Sequence, residues 1–192
     1  MSDTREKILD TAFDMFYTKG YQGSGITEIL NEANVNRGSL YHFFKSKKEL
    51  ALTVIDERLK YNLQKKYELL STSQNPIDDL FLIFEDTKEF DFKRGCALSN
   101  LIQEMSPLDK DFELKLQEVY NALFEWVKLA LDNAIEKNQI KSNDTFVLAH
   151  LIVATVEGAI MASKAFQNSK HYHMIVDELK KSLCNSSLIE KN

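Results

Sequence analysis

From Ile26 to Phe43 the sequence ITEILNEANVNRGSLYHF allows little besides two short helices meeting at a tight corner. Ile29, Leu30 and Ala33 recur at helical spacing and give the first helix, about Ile26 to Ala33, one apolar face, with Ser24 or Gly25 placed as its cap. Asn34-Val35-Asn36 then supplies the corner. Asparagine tolerates the left-handed conformation a tight turn needs, Val35 can plug the angle, and Asn36 can cap a second helix from Arg37 to Phe43. Two short helices joined in this way, the second carrying polar and basic side chains, form a helix-turn-helix.

The flanks fit that reading. Ile8, Leu9, Ala12, Phe13 and Phe16 make an apolar stripe on a preceding helix, with Asp3 and Glu6 as a start signal and Lys19-Gly20 as a stop. Ser46-Lys47-Lys48-Glu49 is a capping box opening a fourth helix that continues to about Leu70. Between Asn36 and Leu50 stand Arg37, Lys45, Lys47 and Lys48, with no acid before Glu49, in a chain of net charge −5. A compact basic patch with hydrogen-bonding side chains and a close-approach glycine suits a polyanion backbone, above all DNA, although a charge run is more often a solvated face.

The ordered set Arg5-Glu6-Lys7-Ile8-Leu9, Ala12, Phe16, Lys19-Gly20-Tyr21, Ile26-Thr27-Glu28-Ile29, Ala33-Asn34-Val35, Gly38-Ser39-Leu40-Tyr41, Phe44-Lys45-Ser46-Lys47 and Glu49-Leu50 resembles the N-terminal DNA-binding domain of the TetR family of transcriptional repressors. It covers about a quarter of the chain without a gap. One departure is Asn34, where the family usually has glycine; asparagine is the next-best residue for that turn. The resemblance implies an N-terminal three-helix helix-turn-helix domain, residues 1–48, and a C-terminal helical effector-binding and dimerisation domain, residues 49–192. It also implies double-stranded operator DNA as partner, a homodimer, a small-molecule effector, and repression as the mode of control.

The rest of the chain agrees with an all-α fold. Six glycines and two prolines in 192 residues fit helices with short connections. Asn75-Pro76 and Ser106-Pro107 each read as a cap followed by proline at the first helical position, and Ser142 or Asn143 as the cap of a helix from Asp144 to Phe166. Glu89 to Arg94 is a loop before a helix ending near Met105; the last helix spans about His171 to Cys184, with a loose tail from Asn185. The run from Phe146 to Phe166 is interrupted by His150, Glu157 and Lys164, so it reads as a buried helix and no membrane partner is expected. It is apolar nearly all round and lined with Ala149, Ala154, Gly158, Ala159, Ala162 and Ser163, which suits packing on two sides. By resemblance, it and a last helix bearing Ile175, Leu179 and Leu183 supply a four-helix dimer bundle; a central helix of a monomer is the alternative.

On this reading the DNA-facing residues are Thr27, Arg37, Gly38, Ser39, Tyr41, His42 and Lys47. Arg37 can take a guanine edge or a phosphate, Gly38 lets the backbone approach, and Ser39, Tyr41 and His42 reach bases or phosphates. Lys47 adds charge at a helix N-terminus and Thr27 anchors the other strand. Leu40, Phe43 and Phe44 are core. A family-type effector pocket, implied by the resemblance, would draw on Phe84, Cys96, Leu101, Met105, Tyr120, Phe124 and Met161, with Glu104 or Glu157 as polar anchor, although core is commoner than pocket and a plain aromatic core is the better explanation for most of the aromatic side chains. Cys96 follows Lys93-Arg94-Gly95 at a helix start, where charge and dipole favour thiolate. That arrangement resembles the electrophile-sensing, NemR-like branch of the family, in which a Gly-Cys pair stands at a similar place; a buried, inert cysteine is the alternative. Cys96 and Cys184 show no CxxC spacing, in keeping with a reducing cytoplasm. The four histidines lack a nucleophile or metal partner by motif, so neither an enzyme nor a cofactor is expected.

Overall fold

The computed structural model of the protein describes residues 2–88, 90–141 and 144–186, and no strand occurs among them. In chain order the helices are α1 (Ser2–Lys19), α2 (Ile26–Glu32), α3 (Arg37–Phe43), α4 (Lys47–Val54), α5 (Tyr61–Tyr67), α6 (Pro76–Glu85), α7 (Ala97–Met105), α8 (Lys110–Glu136), α9 (Thr145–Phe166) and α10 (Lys170–Ser186). A π-helical turn, Ile55–Lys60, joins α4 to α5, and a short 3₁₀ turn, Glu68–Ser71, follows.

The chain forms two compact units, Met1–Leu63 with Ala97–Tyr120, and Gln64–Cys96 with Asn121–Asn192. In the first, α1 buries Ile8, Leu9, Ala12 and Phe16 against Ile29, Leu30 and Ala33 near α2 and Leu40 and Phe44 near α3. Asn34 takes the left-handed conformation at φ 53°, so the chain turns within three residues. Asn36 caps α3 by accepting from the Ser39 amide at 2.9 Å. Ser46 caps α4 through the Glu49 amide at 3.0 Å, while Glu49 reaches one residue past the cap to accept from the Lys45 amide at 2.9 Å. Gly25, not Ser24, caps α2; Ser24 is buried and donates to the carbonyls of Gly20 and Met15 at 2.7 and 3.1 Å.

The π-helical turn was not expected from the sequence. Its charged residues are pinned on two sides: Glu57 to Arg5 at 2.5 Å, Arg58 to Glu6 and Asp10 at 2.6 Å each, Asp56 to Lys115 at 3.3 Å, and Lys60 to Glu118. The start of α8 also departs from expectation. Asp109 accepts from the amides of Asp111 and Phe112 at 2.9 and 3.2 Å, so the helix begins after it and not at Ser106-Pro107.

In the second unit α6, α9 and α10 pack together. By length and composition α9 could cross a membrane. Here it buries Ala149, Ile152, Val153, Val156, Ala159 and Ile160, and the buried Ser163 hydroxyl accepts from the Tyr172 amide at 2.9 Å. Asp144 caps α9 by accepting from the Val147 amide at 3.0 Å. The alternative caps Ser142 and Asn143, together with Glu89 and the tail over 187–192, lie outside the described residues. The Asn75 side chain does not cap α6; Ser73 accepts from the Asn75 amide at 3.0 Å and donates to Asp79.

The left-handed residue at the corner gives a direct test. An L-residue without a compensating side chain costs about 1–2 kcal/mol in that conformation. Asn34→Ala should lower the urea-unfolding free energy by roughly that amount, and Asn34→Gly should stay near wild type.

Candidate nucleic-acid interface

The outward side of α3 is set by its inward side. Leu40 is fully buried and Phe43 half-buried, which turns Arg37, Gly38, Tyr41 and His42 out on the opposite face. Tyr41 is 51% exposed, and the Arg37 guanidinium lies over its ring, 5.9 Å from the centroid. The pair is four residues apart on one helix face, so the ring supports the guanidinium on the outward side of α3. Ser39 is half-buried and donates its hydroxyl to Asn36 at 3.1 Å. His42 packs edge-on to Phe43 at 4.8 Å. A Cβ built on Gly38 would meet only the Asn36 Oδ1, at 3.3 Å. That contact is tight, and the oxygen is the one that caps α3, so glycine here also keeps the cap uncrowded.

Thr27 is exposed on the first turn of α2, which a Lys19–Glu28 ion pair ties to α1. The four cations counted in the sequence separate into two kinds. Arg37 and Lys45 are exposed. Lys48 pairs with Asp109 and Asp111 at 2.8 and 2.7 Å. Lys47 donates to the Tyr21 carbonyl, and its ammonium lies 4.3 Å from the centre of the Tyr21 ring. Burial there holds the Lys47 ammonium below the usual lysine range, partly offset by the nearby Glu104 carboxylate. Lys45 was left out of the expected site, although its place in the basic run was a sufficient signal.

The residues expected around an effector divide between the two units. Leu101, Glu104, Met105 and Tyr120 belong to the first, and Phe84, Cys96, Phe124, Glu157 and Met161 to the second. Leu101 and Met105 are fully enclosed in the first unit's core. Glu104, expected as a polar anchor for ligand, instead accepts from the amides of Tyr21 and Gln22 at 2.9 and 2.8 Å. Met161 is 66% exposed on α9.

Within the second unit Phe84 and Phe124 are buried and Cys96 half-buried. Gly95, at φ 78°, turns the chain so that Cys96 directly precedes α7. Tyr67, missed in the sequence, is buried and stacks on Trp126 at 5.7 Å. Tyr172 donates its hydroxyl to the Phe84 carbonyl at 2.8 Å. Burial raises the pKa of both tyrosines, and Cys96 and Glu157 act electrostatically on each in the same direction. Tyr67 stacks on Trp126, Tyr172 is bonded to Phe84, and the half-buried Cys96 and Glu157 lie near enough to act on both tyrosines.

Sequence models of known families match both parts of the chain. That of bacterial regulatory proteins of the tetR family matches residues 8–54, and that of the tetracyclin repressor-like C-terminal domain matches residues 79–179. An uncharacterized HTH-type transcriptional regulator in the lacX 3′ region of Lactococcus lactis subsp. lactis is 32% identical over 189 residues, which is 95% of this chain and 94% of that protein. The HTH-type transcriptional repressor NemR of Escherichia coli K12 is 26% identical over 141 residues, 71% of each chain. Among solved structures, the reduced form of E. coli NemR aligns with a TM-score of 0.85 at 25% identity, covering 93% of this chain and 96% of that one. The regulatory protein TetR from Rhodobacter sphaeroides aligns at 0.82 with 26% identity, covering 92% and 96%.

The buried tyrosines carry a pH signature. A phenol whose folded pKa is raised contributes stability below its unfolded value of about 10 and loses it as pH rises beyond that. In an ultraviolet absorbance titration of the seven tyrosines, Tyr67 and Tyr172 should ionise only together with a change in the fluorescence of the single tryptophan. Tyr67→Phe should remove one of those late ionisations.

Proposed function

This chain belongs to the TetR family of bacterial regulatory proteins, and we propose that it is a cytoplasmic, homodimeric repressor that holds a palindromic operator until a small hydrophobic or electrophilic molecule releases it. The observation that carries this reading is the outward face of α3, where Arg37 extends over Tyr41 beside the exposed Gly38. A bare backbone there lets the helix approach a major groove. Arg37 then takes guanine O6 and N7 or a phosphate. Ser39, Tyr41 and His42 bind bases or phosphates, Thr27 anchors the second strand, and Lys45 adds a phosphate contact. Lys47, steadied by the Tyr21 carbonyl, keeps further donors at the α4 N-terminus, where the dipole favours a phosphate.

One seven-residue helix reads few bases. A twofold dimer places two such helices roughly 34–36 Å apart in successive major grooves. For the dimer face we assign the exposed stripe of α9, Val147, Leu151, Ala154, Gly158 and Met161, with Met174 of α10 beside it. For the effector we assign the second unit's interior, Phe84, Cys96, Phe124 and Glu157 joined by Tyr67, Trp126 and Tyr172. An electrophile would add to the Cys96 thiolate; a reversible ligand would fill the space between the rings. The second reading rests on the aromatic density, the first on Cys96 at a helix start and on the likeness to NemR, a relative whose structure is specified as reduced. Either effector acts only through its differential affinity for two conformations of the dimer. Relatives that are transcriptional regulators support a regulatory role over catalysis.

Fluorescence anisotropy on DNA from the protein's own upstream region tests this. Arg37→Ala should weaken operator binding by about 1–3 kcal/mol, and Tyr41→Phe by less, with the dimer intact by light scattering; a monomeric Arg37→Ala variant would contradict the assignment. A quinone or aldehyde should release wild type and leave Cys96→Ser bound. Release of both, or of neither, assigns control to a reversible ligand and retires the thiol switch.

A further inference from the structure

The loop between α1 and α2 holds a carboxylate from α7 of the same unit. Gly20 has φ 79°, and the two amides that follow, of Tyr21 and Gln22, donate to Glu104 at 2.9 Å to Oε2 and 2.8 Å to Oε1. Successive N–H groups after a left-handed residue make a concave nest for an anion. Each oxygen takes one amide, so the contact is bidentate and charge-assisted. The fit leaves no room at Gly20, where a Cβ would lie 2.7 Å from Oε2 and 3.1 Å from Cδ. That glycine answers two demands together, the backbone angle and the approach of the carboxylate.

The next link is Tyr21. Its carbonyl accepts from Lys47, the first residue of α4, and its ring supports the same ammonium. The ring is wedged against Phe16 of α1 at 5.6 Å and Phe112 of α8 at 5.1 Å. Glu104 thus fixes the loop that leads into α2, and that loop fixes the first residue after the α3–α4 corner. Neither end of α3 can shift freely while both neighbours are held.

We infer that Glu104 is a positioning residue for operator reading: it touches no DNA, and it sets α3 by clamping the Tyr21 and Gln22 amides and, through Tyr21, Lys47. This rests on the DNA-binding reading above. The clamp makes α7 part of the reading head, so a change at the α7 start beside Cys96 has a direct mechanical route to the corner.

Two measurements on the full-length protein test it. Amide hydrogen exchange by NMR, without DNA, reports the clamp. In wild type Tyr21 and Gln22 are protected; in Glu104→Gln, whose amide offers one oxygen, at least one of them exchanges about ten-fold faster, and in Glu104→Ala both do. Anisotropy reports the consequence. Glu104→Ala should weaken operator binding about ten-fold, the worth of roughly one charge-assisted hydrogen bond, while affinity for an unrelated duplex and its salt slope stay unchanged. Gly20→Ala should reproduce both effects with Glu104 still present, because the added methyl evicts the carboxylate. If the alanine variants fail to fold, Glu104→Gln decides alone by the same two readouts. A clamp lost with no change in the ratio of operator to unrelated-duplex affinity overturns the inference, as do amides that stay protected in Glu104→Ala. Failure of wild type to bind its upstream DNA refutes the regulator reading instead, and the exchange data still judge the clamp.

Discussion

Neither α2 nor α3 can hold itself in water. Each has seven residues, about two turns, and isolated helices shorter than about 12–15 residues are marginal even when alanine-rich. They exist because α1 offers them a shared apolar wall of Ile8, Leu9, Ala12 and Phe16, and because Asn34, Asn36 and Ser46 satisfy the backbone where each helix stops or starts. That dependence decides which side chains are available for chemistry. Once Ile29, Leu30, Leu40 and Phe44 are committed to the wall, Thr27, Arg37, Gly38, Tyr41 and His42 have only the outward side left.

This is why the corner was legible in the sequence and other features were not. The bounds of α3 follow from residues within ten positions of it, since caps and helical period are local. The π-helical turn depends on Arg5, Glu6 and Asp10, some fifty residues earlier, and on Lys115 and Glu118, some sixty later, and no local pattern announces it. The start of α8 was misread because Ser106-Pro107 imitates Asn75-Pro76, and the carboxylate of Asp109 outcompeted it for the free amides. Glu104 shares a helix with Leu101 and Met105, which suited a pocket anchor; its true partners are 82 and 83 residues away along the chain. The sequence showed which side of α2 and α3 turns outward, and it could not show how that side is held in position.

Charge pairing explains how an acidic chain keeps a local affinity for a polyanion. Arg5, Arg58, Lys60, Lys115 and Lys48 each have carboxylate partners in the first unit. Exposed pairs of this kind contribute about 0–1 kcal/mol to stability, so stability is a weak reason for so many of them. Their larger effect is on binding. A lysine already neutralised by a carboxylate adds little to counterion release from DNA, and the positive potential is left to Arg37, Lys45 and the docked Lys47. On the proposed reading this lowers non-specific affinity while the contacts of the outward face of α3 are kept, and so raises the ratio of specific to non-specific binding.

The second unit applies burial to a different end. A tyrosine hydroxyl inside a core is costly unless it is bonded, and Tyr172 meets that demand by donating to the Phe84 carbonyl, which ties α10 to α6. Tyr67 has its ring stacked on Trp126 and feels Cys96 and Glu157. Close-packed interiors rearrange between discrete arrangements instead of deforming smoothly. An adduct on the half-buried Cys96, or a ring inserted beside Trp126, would press on such packing. On the proposed reading it acts by shifting a helix from one packed arrangement to the other.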